Sequence, residues 1–198
     1  MQFSYEGLYF QGVGANLQEP FPFVAENYVP DAIVACPQLD DWENTSANMT
    51  IALIQWLKAA YAVDPDRVVL SGYSGGGETL SLVMEKNPGL FAGALHMSSQ
   101  WDGDPSALVS ARAPVRFVIG EHDDYYGPGP DRSAYRRIRR AYRDAGVSDS
   151  ALSSLLVLDV KDDAYFTDRG YTGSQHAAGA SAFAEDEDVM GWLFDKAS

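Results

Sequence analysis

The chain has 198 residues, 46% of them hydrophobic, which suits one globular domain with a sizeable core. A formal net charge of −14 argues against nucleic acid or an anionic membrane as a partner, because the field of the whole protein repels polyanions. The single cysteine, Cys36, excludes an internal disulfide, and no stretch approaches the roughly 20 apolar residues of a membrane span. We therefore predict one domain over residues 1–198, and a cytoplasmic location because residues 1–6 lack a signal-peptide pattern.

The hydrophobic pattern predicts strands and helices that alternate along the chain. The predicted strands cover residues 3–11, 32–36, 67–71, 91–97, 114–119 and 155–160. The predicted helices cover residues 45–61, 75–87, a short segment from 104, 131–145 and 179–195, with at most a short irregular helix in 17–29 and a polar loop over 161–175. Because helices separate successive strands, the sheet should be mostly parallel, with helices on both faces.

The rest of the chain is organised around residues 68–77, which read Val-Val-Leu-Ser-Gly-Tyr-Ser-Gly-Gly-Gly. An apolar strand runs directly into a G-x-S-x-G pattern, and a helical pattern follows, which is the order that a nucleophile elbow requires. Gly72 and Gly76 leave room where strand and helix approach each other closely. Ser74 is therefore the candidate nucleophile, and a serine hydroxyl needs a neighbouring base to take its proton.

Three histidines are candidates for that base. His176 lies in a predicted loop between the last strand and the last helix, where ligand-binding loops of parallel sheets are found. His122 also follows a strand, whereas His96 is flanked by apolar residues inside one, which is typical of a core residue. We predict that His176 is the base.

The candidate acid lies in the segment Phe-Val-Ile-Gly-Glu-His-Asp-Asp at residues 117–124. A carboxylate that follows this strand can accept a hydrogen bond from the imidazole and fix its tautomer. We predict Asp123 for this role, with Asp124 as the near rival and Asp102 as a lesser option. The order serine, acid, histidine along the chain is the one used by the fold that bears this elbow.

Together these motifs resemble the α/β-hydrolases, and among them the small esterases grouped with polyhydroxybutyrate depolymerases, feruloyl esterases and dienelactone hydrolases. Prolyl oligopeptidase catalytic domains are also similar. The resemblance implies the α/β-hydrolase fold in a form shortened at the N-terminus, with the first two strands of the family apparently absent. Because missing edge strands expose unpaired backbone, a homodimer is a hypothesis.

The resemblance also implies an oxyanion hole built from the backbone N–H of Gly75 and one N–H from the loop at residues 12–14, for which we choose Val13. The family usually has His-Gly before this loop, whereas this chain has Gln11-Gly12. Several aromatic residues lie in segments expected at the rim of the site, and those predicted to contact substrate are Tyr73, Trp101 and Tyr125; Trp42 and Tyr126 lie in the same kind of segment.

The sequence therefore predicts a serine hydrolase that cleaves small-molecule carboxylic esters through an acyl-enzyme. Ser74, His176 and Asp123 carry the chemistry, and neither a metal nor an organic cofactor is expected. Two alternatives stay open: a serine peptidase of the prolyl oligopeptidase type, and a non-catalytic binding module with the same fold.

Overall fold

A computed structural model describes residues 20–197, and its strands form one parallel sheet. The strands are β1 (Val69–Tyr73), β2 (Gly93–Met97), β3 (Val115–Gly120) and β4 (Leu156–Lys161). They follow one another across the sheet in chain order, so β1 and β4 are its edges within the described part of the chain. All three strand pairs are parallel, which confirms the predicted sheet type.

Helices fill the connections between the strands and flank the sheet. They are α1 (Pro20–Tyr28), α2 (Asn44–Ala60), α3 (Gly75–Lys86), α4 (Ser106–Ala111), α5 (Gly129–Asp144), α6 (Asp149–Leu155), α7 (Asp163–Thr167), α8 (Gln175–Ala184) and α9 (Glu187–Asp195). Short 3₁₀ turns at Pro65–Arg67 and Pro88–Leu90 precede β1 and β2.

Two apolar clusters lie on opposite faces of the sheet. The first packs α2 to α6 against it, and the second packs α1, α7, α8 and α9 against the other face. Strand β2 contributes Ala94 to the first cluster and Leu95 to the second, and β3 contributes Phe117 and Val118 in the same way. Successive side chains of a strand point to opposite faces, so one strand supplies both cores. The prediction of helices on both faces is confirmed.

The strand predicted at residues 32–36 is wrong, because these residues adopt no regular secondary structure. A short apolar run is compatible with a strand only if another strand accepts its backbone hydrogen bonds, and no described strand pairs with this one. Ile33 is 53% exposed, and the segment lines a cavity of about 450 Å³ beside β1. The strand predicted at residues 3–11 lies outside the described residues.

The C-terminal third contains more helix boundaries than predicted. The single helix predicted over 179–195 is two helices, since the Asp186 side chain accepts hydrogen bonds from the backbone N–H groups of Asp188 and Val189 and starts α9. The predicted polar loop contains α7, which the Asp162 side chain caps. Helix α6 was not predicted and is capped by Ser148.

Candidate active site

Ser74 lies at the sharp turn between β1 and α3, with φ of 53° and ψ of −130°. A non-glycine residue with positive φ costs about 1–3 kcal/mol and persists only where its surroundings fix it. Here the Ser74 N–H donates to the carbonyl of Met97, and its carbonyl accepts from the Ser99 hydroxyl at 2.6 Å. A methyl group on Gly72 would lie 2.4 Å from the Gly76 carbonyl oxygen, so only glycine fits there. The segment has the strand, sharp turn and helix, in that order, on which the predicted nucleophile elbow depends.

The structure brings together the three residues predicted to carry the chemistry. Ser74 Oγ lies 3.1 Å from His176 Nε2, and His176 Nδ1 lies 3.0 Å from Asp123 Oδ2. His176 is the second residue of α8 rather than a loop residue, and Ser174 caps that helix by accepting from the N–H of Ala177. The short capped helix fixes the imidazole over the elbow. These contacts leave Ser74 with a base within hydrogen-bond reach.

Asp123 is buried and satisfied by donors on both of its oxygens. Its Oδ1 accepts from the backbone N–H groups of Tyr125 at 3.0 Å and Tyr126 at 2.9 Å, while Oδ2 faces His176. Burial raises the pKa of this carboxyl, but the hydrogen bonds from His176 and from the two N–H groups outweigh it and lower the pKa below its ordinary value. Asp123 is therefore held as a carboxylate, the form that stabilises an imidazolium.

The rival candidates for acid and base lie elsewhere. Asp124 Oδ1 accepts from the Ser174 hydroxyl at 2.6 Å and from the His176 backbone N–H at 3.2 Å, so it positions the start of α8 without contacting the imidazole. His122 is exposed and pairs with Asp163 at 2.8 Å. His96 is a fully buried residue of β2. Neither of these histidines contacts Ser74 within the part of the chain that the structure describes.

Aromatic rings enclose His176. Tyr73 and Tyr125 stack on it from ring-centroid distances of 5.4 Å and 5.1 Å, and Tyr126 is tilted at 5.6 Å. Tyr73 is buried and its hydroxyl donates to the His176 carbonyl, so it supports the imidazole. Tyr125 is 68% exposed and open to a ligand.

The prediction that Trp101 lies at the rim is wrong. Its side chain is 5% exposed and packs against His96 and Phe117 in the core. Its indole N–H donates to the Gly103 carbonyl at 2.9 Å, which satisfies the polar end of the ring. The sequence places an aromatic residue in this loop but carries no signal for the direction of its side chain.

Gly75 is the first residue of α3, where backbone N–H groups have no partner inside the helix and remain available to an anion. A methyl group on Gly75 would lie 2.5 Å from Trp42 Nε1, so the indole of Trp42 packs directly against this residue. Trp42 was expected at the rim, and it is 38% exposed. Val13, the other predicted oxyanion donor, lies outside the described residues.

One polar pair beside Ser74 was not predicted. The Tyr126 hydroxyl donates to Glu78 Oε1 at 2.5 Å. Burial and the Glu78 carboxylate raise the pKa of Tyr126, while a hydrogen bond with Ser74 lowers it by a smaller amount. Burial also raises the pKa of Glu78, against the opposing effect of the Tyr126 hydrogen bond. Glu78 follows Ser74 by one helical turn, and this spacing was the signal available in the sequence.

Within residues 20–197, no group of three or more histidine, cysteine, aspartate or glutamate side chains is arranged to hold a metal ion. None of the helices in that range is long and apolar enough to cross a membrane.

Comparison with known proteins gives partial matches, one of which includes Ser74. Residues 39–104 match the model of the prolyl oligopeptidase family. The chain is also 29% identical over 105 residues to an oxidized polyvinyl alcohol hydrolase from a Pseudomonas species, a match that covers 48% of this chain and 28% of that protein.

Solved structures give a wider match at lower identity. A thermostable esterase superposes with a TM-score of 0.63 at 19% identity, covering 81% of this chain and 42% of that one. SOBER1 from Arabidopsis thaliana superposes with a TM-score of 0.52 at 15% identity, covering 79% of this chain and 67% of that one. The chain thus spans less than half the length of the thermostable esterase and of the polyvinyl alcohol hydrolase. With the parallel sheet, these structural matches show that the chain has the α/β-hydrolase fold.

Proposed function

We propose that this protein is a serine hydrolase that cleaves carboxylic esters through an acyl-enzyme. The observation that carries the proposal is the continuous hydrogen-bonded line from Ser74 through His176 to Asp123, with heavy-atom distances of 3.1 Å and 3.0 Å. A serine at an elbow, a base within reach and a carboxylate that orients the base are the three parts that acyl transfer requires.

In the proposed reaction, Ser74 Oγ attacks the ester carbonyl while His176 Nε2 takes its proton. The oxyanion receives a hydrogen bond from the Gly75 N–H, with Val13 proposed as a second donor. The C–O bond to the alcohol then breaks, and His176 gives the proton to the leaving oxygen. Water activated by His176 next attacks the acyl-enzyme and releases the carboxylic acid and free Ser74.

The test is hydrolysis of p-nitrophenyl esters of increasing acyl length and of hydroxycinnamoyl esters by the wild type and by Ser74→Ala. We expect turnover by the wild type and a loss of about 10⁴-fold or more in the variant. Full esterase activity in folded Ser74→Ala would show that another group is the nucleophile. The profile over the panel would also define the acyl pocket.

A peptidase is the second candidate, favoured by the match of residues 39–104 to the prolyl oligopeptidase family. Proline-containing aminomethylcoumarin peptides distinguish the two activities, because the same Ser74 would release the fluorophore only if peptides enter the site. We expect esters to be cleaved with the higher kcat/KM. An oxidized polyvinyl alcohol polymer belongs in the same panel, because the curated relative is named for it.

Two further proposals concern the state of the protein rather than its chemistry. Strand β1 is an edge of the described sheet, and a homodimer remains our proposal from the sequence. Size-exclusion chromatography with light scattering tests it, and a monomer at micromolar concentration would contradict it. The cytoplasmic location and the absence of nucleic-acid partners remain predictions from the sequence.

A further inference from the structure

Glu78 and Tyr126 lie next to Ser74 and His176. Gly75, the proposed oxyanion donor, begins α3, and His176 lies on α8. The leaving oxygen of an ester must face His176 Nε2, because that atom returns the proton. The Tyr126 ring lies 5.6 Å from the His176 ring, and its hydroxyl is hydrogen-bonded to Glu78 and close to Ser74. The pair therefore borders the space for the alcohol part of an ester.

Glu78 and Tyr126 can accept hydrogen bonds from a ligand but have no donor to offer to it. The Tyr126 proton is donated to Glu78 Oε1, so the phenol oxygen, which also lies beside the Ser74 hydroxyl, can only accept. Among residues 20–197, nothing donates a hydrogen bond to the second carboxylate oxygen of Glu78, and no cation pairs with this carboxylate. A nearby carboxylate, Asp102, adds negative charge. The surface offered to the alcohol part accepts hydrogen bonds and repels anions.

We propose that Glu78 and Tyr126 form a subsite for the alcohol part of the substrate and select alcohols that carry a second hydroxyl group as a hydrogen-bond donor. This inference rests on the proposed ester hydrolysis at Ser74. Both residues are half-buried, and burial raises the pKa of each side chain. A hydrogen bond made in such surroundings discriminates more strongly than one at an exposed surface.

A purely structural reading of the same contact is that it fastens the 123–127 loop to α3. In that case the loss of the contact would slow all esters in the same proportion. A subsite for the alcohol instead changes the ratio between two esters that share an acyl group. The test therefore compares ratios, in which any loss common to all substrates cancels.

The substrates are 2-hydroxyethyl acetate and propyl acetate, which give the same acetyl-enzyme and differ mainly in a terminal hydroxyl. We expect the wild type to prefer the hydroxyethyl ester by about tenfold in kcat/KM, the size expected for a hydrogen bond to a charged group. Glu78→Gln and Tyr126→Phe should each reduce this ratio by about threefold or more. The matched control is Tyr171→Phe, because Tyr171 donates to Glu185 at 3.0 Å near the other end of α8, and it should keep the wild-type ratio.

A second measurement needs only the wild-type protein. With p-nitrophenyl acetate as donor, equal concentrations of ethylene glycol and 1-propanol compete for the acetyl-enzyme, and the glycol should be acetylated about tenfold faster. This result follows because the acceptor alcohol occupies the subsite that the leaving alcohol vacates.

The outcomes separate cleanly. Equal rates for the two esters in the wild type, or a ratio unchanged in both variants, would overturn the subsite. A preference for acetylcholine over 3,3-dimethylbutyl acetate without any preference for the hydroxyethyl ester would also overturn it, since it would show attraction of a cation alone. If the wild type hydrolyses none of these esters, p-nitrophenyl acetate included, the proposed function itself fails.

Discussion

Two of the histidine–aspartate pairs in the described part of the chain, an outer pair at the active site and an inner pair in the core, differ in every respect that matters for chemistry. His176 Nδ1 and Asp123 Oδ2 are 3.0 Å apart above the end of the sheet, with the imidazole 17% exposed. His96 Nδ1 and Asp131 Oδ1 are 3.5 Å apart in the core, with both side chains at 0% exposure. Asp123 accepts backbone hydrogen bonds, whereas neither Asp131 oxygen has a hydrogen-bond partner among the described residues.

The surroundings move the pKa values of the two carboxyls in opposite directions. Hydrogen bonds hold the pKa of Asp123 below its ordinary value in spite of burial. Burial raises the pKa of Asp131 well above its ordinary value and lowers that of His96 to about 4. Hydrogen bonds therefore favour the charged carboxylate of Asp123, whereas burial favours the neutral forms of Asp131 and His96. Proximity of histidine to aspartate is therefore not a sign of catalysis unless donors stabilise the carboxylate and the imidazole reaches a nucleophile.

The largest expected effect is a difference in kcat between variants of the two carboxyl groups, Asp123 and Asp131. Asp123→Asn should lower kcat by about 10⁴-fold, because the imidazole loses the partner that fixes its tautomer. Asp131→Asn should retain most of the activity. Ester hydrolysis by both variants and by Asp124→Asn measures this. In Asp124→Asn, kcat should fall by less than about tenfold, because Asp124 contacts His176 only through its backbone N–H. Loss of turnover in Asp124→Asn with normal turnover in Asp123→Asn would reverse the assignment.

The second prediction tests the packing of Gly75 against Trp42 beside Ser74. Gly75→Ala should lower kcat by about 10²-fold, because the new methyl group would meet the Trp42 indole at 2.5 Å and displace the N–H proposed for the oxyanion. The double variant Gly75→Ala with Trp42→Ala should regain part of this loss. Steady-state kinetics on p-nitrophenyl acetate measure both. Equal losses in the single and double variants would exclude a clash with Trp42 as the cause.

The third prediction concerns the inner pair and stability. Because the folded-state pKa of Asp131 is raised above its unfolded value of 3.8, its contribution to stability is complete below that value and is lost as pH rises toward the folded-state pKa. Asp131→Asn cannot ionise, so its free energy of unfolding relative to the wild type should increase with pH. The gain should reach about 1 kcal/mol or more at neutral pH. Urea unfolding at about pH 5, 7 and 9 measures it.

The opposite result would change the account of the inner pair. If Asp131→Asn is less stable than the wild type by about 3–5 kcal/mol at every pH, His96 and Asp131 form a buried ion pair instead of a neutral one.

The smallest effect is expected at the third histidine–aspartate pair, on the surface. His122 and Asp163 are 67% and 68% exposed, and the Asp163 carboxylate raises the pKa of His122. His122→Gln should leave kcat/KM and the midpoint of thermal unfolding within experimental error, since exposed ion pairs contribute little. A clear loss of activity would give this pair a role that the geometry does not suggest.

Much of the site was predictable because its signals are local. The G-x-S-x-G pattern fixes the turn at Ser74, and the acid and base follow parallel strands whose carboxyl ends meet at one edge. The choice between Asp123 and Asp124 could not be made from the residue types alone. It depends on which carboxylate turns toward the imidazole, and the turn that directs the N–H groups of Tyr125 and Tyr126 at Asp123 decides it.

The errors of prediction have a common cause: the sequence pattern of a segment does not determine which distant residues pack against that segment in the fold. The apolar residues 32–36 have the composition of a strand, but no described strand pairs with them. We predicted Trp101 at the rim because of its position in the loop. In the structure its indole N–H donates to a backbone carbonyl, and its ring packs against two aromatic residues in the core. The Glu78–Tyr126 contact joins a helix to a loop 48 residues away, and such a pairing is not encoded in either segment alone.

The most direct test of the proposed active site at Ser74, His176 and Asp123 is the rate at which a fluorophosphonate labels the protein. Peptide mass spectrometry identifies the modified residue. The account predicts labelling of Ser74 in the wild type, a similar rate in Asp131→Asn, and a rate lower by about 10³-fold or more in Asp123→Asn. Folded wild-type protein that remains unlabelled would contradict the account and favour a non-catalytic binding module.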